Sequence, residues 1–142
     1  MTVSRIIGDK GGEVVTAQPH RTIGEVARLL AERRIGAVVV TDGNGGIKGI
    51  LSERDIVRAI ATGGATALDD AVSRHMTAKV VTCGPSARIP DIMASMTAGK
   101  FRHMPVEEHG RLTGIISIGD VVKHRLAEIE SERLALENYI TS

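Results

Sequence analysis

Gly49-Ile50-Leu51-Ser52-Glu53-Arg54-Asp55-Ile56 and Gly114-Ile115-Ile116-Ser117-Ile118-Gly119-Asp120-Val121 are two copies of one signature, an apolar strand running through a serine into a helix. The two aspartates lie 65 positions apart. Upstream, Val14-Val15-Thr16 with Pro19 and Ile23 returns 66 positions later as Val80-Val81-Thr82 with Pro85 and Ile89. The one-residue difference belongs to the loop ahead of the signature. A register kept across two loops marks a duplicated folding unit.

Each unit reads β-α-β-β-α, and the fold class is therefore α/β (α+β) with a long C-terminal helix. In the first copy, Glu13 to Thr16 is a short β-branched strand stopped before Pro19. Thr22-Ile23-Gly24-Glu25 has the form of a capping box, and Ile23, Val26, Ala27 and Leu30 follow at helical spacing until Gly36. Ala37 to Val40 is an apolar strand, Asp42 to Gly46 a hairpin turn, Ile47 to Leu51 the returning strand, and a helix starts at Ser52. The second copy repeats the order: strand at Val80-Val81-Thr82, helix Ile89 to Met96 with Pro90 in its first turn, hairpin through Met104-Pro105-Val106-Glu107 and Leu112 to Ile116. The predicted organisation is an N-terminal arm or short helix (1–12), repeat 1 (13–66), a linking helix (67–78), repeat 2 (79–125) and a C-terminal helical extension (126–142). Units of this size bury too little surface alone, so the halves are expected to pack together and share one core.

Composition narrows the function. The chain has 142 residues, 18 basic against 17 acidic ones, for a net charge of +1. No dense basic tract points to nucleic acid or an anionic membrane. No apolar run of about 18 residues or signal-like segment is present, so a cytoplasmic location is expected. Cys83 is the single cysteine, unable to form an internal disulfide or a Cys-rich metal site. With one Tyr, one Phe and no Trp, the core must be built from aliphatic residues and Met.

Two readings of Ser52-x-x-Asp55 and Ser117-x-x-Asp120 stand side by side. A serine at an N-cap with an acid three residues on is a capping box, favoured also by the helix dipole. The same geometry suits a ligand: a carboxylate at a helix start can accept two hydrogen bonds from a vicinal diol, of which ribose is the commonest. Three features favour the ligand. Glycine opens each signature strand, the strand itself is apolar enough for a flat base, and Arg54 and Arg102-His103 could neutralise phosphate.

With Ser52 to Arg58, His75-Met76-Thr77 and Arg102-His103-Met104-Pro105-Val106 added to the duplicated Gly-Ile-[Leu/Ile]-Ser-x-x-Asp, the chain resembles a tandem pair of CBS domains, the domain named after cystathionine β-synthase. The likeness runs over about residues 13–125. It implies two repeats packed about a pseudo-twofold axis, with two clefts between them that take adenosine ligands: AMP, ADP, ATP, NAD or S-adenosylmethionine. By the same resemblance each aspartate would hold a ribose. The Asp120 and Ser117 cleft would take its adenine wall from Thr16, Gly36, Ala37 and Val38, and the Asp55 and Ser52 cleft would use Val80, Thr82, Arg102, His103 and Met104. Arg54 and His103 are the expected phosphate contacts. Arg88 stands where repeat 1 has Thr22, and Gly119 where it has Arg54, so the Asp120 cleft is expected to be poorer in cations.

The remaining features point away from catalysis. His20, His75, His103, His109 and His124 form no close pair suited to a metal. Gly43 to Gly46 lacks the Lys-Ser/Thr of a phosphate loop, and Met93, Met96 and Met104 read as core filler. No Gly-x-Ser-x-Gly elbow occurs, Cys83 has no evident base, and the paired aspartates belong to separate clefts, so no enzyme is expected and no cofactor is required. The final helix runs without Gly or Pro to about Tyr139, with apolar residues that predict a homodimer contact; a solvated extension is the alternative. The expected function is that of an adenosine-nucleotide sensor acting on a separate effector protein. The rival is a scaffold whose clefts are purely structural.

Overall fold

The computed structural model describes residues 1–11 and 13–141. In chain order the elements are α1 (Val3–Lys10), β1 (Thr16–Ala17), α2 (Ile23–Arg33), β2 (Ala37–Thr41), β3 (Ile47–Ser52), α3 (Glu53–Gly63), a 3-10 turn (Ala65–Asp69), α4 (Val72–His75), α5 (Ile89–Gly99), β4 (His103–Glu108), β5 (Arg111–Ser117) and α6 (Ile118–Thr141). The β1-β2-β3 sheet belongs to the first repeat and the β4-β5 pair to the second.

The duplication is visible in the ladders. Ala37 pairs with Ser52 and His103 with Ser117, and both hairpins shift register at matching places, Val40/Thr41 and Val106/Glu107. The turns differ. Asp42 closes the first by accepting hydrogen bonds from the amides of Asn44 (2.8 Å) and Gly46 (2.9 Å). The second turns on His109 and Gly110, both at positive φ (55° and 78°), the combination a two-residue type I′ turn requires. The shorter turn accounts for the one-residue difference between the repeats.

Three expectations need correction. The strand at Val80-Val81-Thr82 does not form. Cys83 makes a lone parallel bridge to Val106, in the same relation as Ala17 to Val40 in the first repeat. Where Val39 pairs with Thr16, the second repeat has Pro105, which has no amide to extend the ladder. The linking helix over 67–78 is broken into the 3-10 turn and α4, because Asp70 and Ala71 are extended and bond to the first repeat: the Ile23 amide donates to Asp70 O (2.9 Å) and the Val72 amide to Arg21 O (2.7 Å).

The third concerns the core. There are two apolar clusters rather than one, built around Ile23, Val38 and Leu51 in the first half and around Ile89, Met104 and Ile116 in the second. Each is completed by the segment leading into the other repeat. Val3 and Ile6 of α1, both fully buried, pack into the second cluster, and Val72 of α4 packs into the first. The Val3 amide also donates to Ala87 O (2.9 Å). The N-terminal helix is therefore part of the second half. Exchange of leading segments, in place of a common core, supplies the burial that each small unit lacks.

The helix ends position the site. Thr22 Oγ1 accepts from the Glu25 amide (3.1 Å) and starts α2, as its sequence predicts, while the Glu25 carboxylate takes Arg21 (3.0 Å) instead of reaching back to complete the box. α2 and α5 end in left-handed residues, Arg34 (φ 55°) and Lys100 (φ 57°), after which the amides of Ile35 and Phe101 reach back to Leu30 O and Met96 O. These turns deliver Gly36 and Arg102 to the space between the halves. α6 keeps only Val121 buried among its described side chains, and from Leu126 onward it extends as an exposed helix.

Candidate functional site

One cavity, of about 220 Å³, opens between the halves. From the first repeat it is lined by Gly36, Ile50, Ser52, Glu53, Arg54, Asp55 and Arg58; from the exchanged segment by Thr77; and from the second repeat by Lys100, Phe101, Arg102 and His103. Ile50 and the chain's single Phe supply apolar walls, and four cations, Arg54, Arg58, Lys100 and Arg102, surround the opening.

Asp55 is only 6% exposed and is surrounded by donors. Its Oδ2 accepts from the Ser52 amide (2.9 Å) and the Ser52 hydroxyl (3.1 Å), closing a capping box at the start of α3. Its Oδ1 accepts longer bonds from Arg58 (3.3 Å) and from the Thr77 hydroxyl (3.4 Å). The capping reading of the sequence is thus realised, through one oxygen. The other faces the cavity side, where its partners are an exposed guanidinium and the hydroxyl of Thr77 on the exchanged segment.

Asp120 sits differently. It too accepts from its own serine's amide, that of Ser117 (2.9 Å), but its Oδ2 also takes the Lys10 ammonium at 2.8 Å. The same ammonium donates to Ile115 O (2.9 Å). Burial pushes the Asp120 carboxyl up, and the bonds from Lys10 and Ser117 outweigh it, leaving the group below the usual carboxylate range. The Asp120 position has a close cation after all, brought by α1, the segment the sequence set apart as an N-terminal arm or short helix.

His103 lines the Asp55 cavity and lies within electrostatic reach of Asp120. A Cβ built on Gly36 would meet its Nε2 at 3.2 Å, so the ring rests against the Gly36 backbone. Burial holds this imidazole below its ordinary value, with Lys10 and Arg102 pushing the same way against Glu53 and Asp120.

The expected site residues divide as follows. Ser52, Arg54, Asp55, Arg102 and His103 meet in the cavity. Gly36 joins them, where the resemblance had put it with Asp120. Ala37 and Val38 are buried in the first sheet, and Met104 lies in the second core, so none of the three offers a side-chain wall. Thr82 donates to Glu107 (3.0 Å), and neither it nor Val80 lines the cavity. Thr16 lies on a separate open groove with Leu112 and Thr113. Among the residues missed, Arg58 and Thr77 stood inside quoted motifs with no role assigned. Lys100 and Phe101 directly precede Arg102 and could have been included with it. Nothing in the sequence pointed to Lys10.

The glycines that open the signature strands have a structural cause. A Cβ at Gly49 would lie 2.7 Å from Met76 Sδ and 2.9 Å from Thr77 O; one at Gly114 would lie 2.6 Å from Ile7 Cδ1. Both admit the exchanged segment, not a ligand. Cys83 is half-buried and its thiol is pushed up to about 11 by burial. Among the described residues no three His, Cys, Asp or Glu side chains are grouped to hold a metal ion, and no helix is long and apolar enough to cross a membrane.

The CBS domain profile matches residues 7–62 and again 71–127. The CBS domain-containing protein YhcV of Bacillus subtilis is 30% identical over 126 residues, covering 89% of this chain and 88% of YhcV. The chain spans only 26% of a plant relative, CBSCBSPB1 of Arabidopsis thaliana, at 29% identity over 92% of its own length. Among solved structures, the CBS-domain containing protein ATU1752 from Agrobacterium tumefaciens is 51% identical with a TM-score of 0.86, over 88% of this chain and 99% of that one. The CBS domain pair of MJ0100, solved in complex with 5′-methylthioadenosine and S-adenosyl-L-methionine, shares the fold at a TM-score of 0.80 and 22% identity, over 90% of this chain and 98% of that one. Duplicated signatures, exchanged leading segments and profile agree: the chain belongs to the CBS domain family, as two CBS domains in tandem.

Proposed function

We propose that the chain is a regulatory module that binds an adenosine nucleotide (AMP, ADP, ATP or NAD) in the Asp55 cavity, without catalysis. The observation that carries this reading is the composition of that cavity: a carboxylate facing a helix start, two apolar walls and four cations in one space. The carboxylate accepts a ribose diol, Ile50 and Phe101 enclose the base, and the cations meet the phosphates. About 220 Å³ is smaller than the roughly 300 Å³ or more of a full ligand pocket. It suits the nucleoside part, with phosphates reaching the open, cationic side. The MJ0100 domain pair supports the choice of ligand, since a pair with this fold was solved with two adenosine compounds.

Titration calorimetry with AMP, ADP, ATP and NAD tests the reading. Binding of at least one, lost on Asp55→Asn, is the expected result. Heat from none of them at millimolar concentration rejects it.

The output is proposed to pass through a homodimer to a separate effector protein. Val122, Leu126, Ile129, Arg133, Leu136 and Ile140 recur at alternating spacings of four and three along α6, and the five apolar members are exposed. That is the seam of a coiled coil, interrupted by one arginine whose guanidinium is tied to Glu130 and Glu137.

A further inference from the structure

We infer that the chain takes one nucleotide, not two, because Lys10 occupies the place of a ligand at Asp120. The inference rests on the nucleotide reading above and decides its stoichiometry. The two repeats carry the same Ser-x-x-Asp at the same position of the same strand-helix turn, so by sequence the two aspartates are equivalent. What differs is the group that the exchanged segment brings to each carboxylate.

At Asp55 it is the Thr77 hydroxyl, neutral and 3.4 Å away, beside an exposed Arg58 at 3.3 Å. Bonds this long are weak, and a hydroxyl can turn to accept as well as donate. A ribose can replace them at little loss. At Asp120 it is an ammonium at 2.8 Å, on the oxygen that already serves the Ser117 amide. The ammonium also uses Ile115 O, the carbonyl on the strand entering the turn. It has donors only. A diol arriving at this oxygen must break a charge-assisted bond and leave the carbonyl without its partner.

Lys10 is held in place by its helix. Val3 and Ile6 anchor α1 in the second core, and Ile7 presses on Gly114. One turn along α6, His124 ties to Asp9 of α1 (3.1 Å). The ammonium is thus held at Asp120 by a helix whose Val3 and Ile6 are buried in the second core. A bond to a charged group of this kind shifts an equilibrium by roughly 10- to 150-fold, so a nucleotide at Asp120 competes at that disadvantage while Asp55 fills first.

Calorimetric titration with AMP as the probe tests this on the full chain. The wild type should bind one AMP per chain, and Lys10→Ala two. Lys10→Ala combined with Asp120→Asn should return to one, which locates the gained site. Lys10 is partly exposed and its helix is anchored elsewhere, so Lys10→Ala keeps the fold, checked by an unchanged circular-dichroism spectrum and a cooperative melt. Two equivalent sites in the wild type, or one site in both wild type and Lys10→Ala, overturn the inference while leaving the nucleotide reading intact. No AMP bound by either form overturns both.

Discussion

Asp55→Asn separates a helix cap from a ligand contact, because the two roles use different oxygens of one carboxylate. Oδ2 accepts from the Ser52 amide and hydroxyl at 2.9 and 3.1 Å, and an asparagine can keep its carbonyl there. The amide nitrogen then replaces Oδ1, a donor where Arg58 and Thr77 also donate. Losing the charge at a helix N-terminus and the weaker pair of bonds should destabilise the chain by about 1–2 kcal/mol. That amounts to roughly 3–8 °C in melting temperature for a chain of this size. The effect on ligand is of another kind. A diol that donated to Oδ1 meets a donor instead, and one charge-assisted bond is lost, about 1.5–3 kcal/mol, or a dissociation constant raised roughly 10- to 150-fold. Thr22→Ala calibrates the first effect, since it removes the cap of α2, away from the cavity, at about 1 kcal/mol. Melting curves for both variants, with AMP titrated well below their midpoints, should show comparable loss of stability and a change of affinity in Asp55→Asn alone. If both variants melt early and both bind AMP like the wild type, the carboxylate is a cap and nothing more.

Other perturbations address other parts. Deleting residues 127–142 should halve the mass measured by light scattering, since it removes most of the seam on α6; an unchanged mass rejects that helix as the dimer contact. Gly49→Ala places a methyl group 2.7 Å from Met76 Sδ and 2.9 Å from Thr77 O, and should lower stability by about 1–3 kcal/mol through overpacking. Gly43→Ala, with nothing within 4 Å, should be close to neutral in the same denaturant titration. His103 contributes to acid sensitivity: its native value lies below the ordinary 6.5, so the unfolded chain takes up the proton first as pH falls. Its contribution is complete above about pH 6.5 and is lost as pH drops through the lower native value, where the new charge meets Lys10 and Arg102 against Glu53 and Asp120. The melting temperature of His103→Gln should therefore fall less steeply than that of the wild type between about pH 7 and about pH 5; parallel curves would show that the ring does not titrate with folding.

What could be read from the sequence followed from local rules. Both hairpins, the caps of α2 and α3 and the long last helix depend on residues close to one another in the chain, and spacing or capping chemistry reveals them. Ser52 and Asp55 were marked by the repeat, and Arg54, Arg102 and His103 by their charge and by the family resemblance; the structure brings all five to one cavity. The strand at 80–82 failed for a reason that was also local but overlooked: Pro105 stood in the partner strand, and a ladder needs donors from both sides. The arrangement about Asp120 lay out of reach for a different reason. Periodicity says that Val3 and Ile6 have a buried face; it does not say against which half. Once α1 packs on the second repeat, Lys10 at its end comes to Asp120, some 110 positions away, and two identical motifs acquire different chemistry. A duplicated sequence therefore predicts two clefts, but equivalence requires the exchanged segments to match as well, and here one carries a hydroxyl and the other an ammonium. Beyond the exchange of Arg54 for Gly119 inside the motif, the divergence between the two sites is written in the short stretches ahead of each repeat.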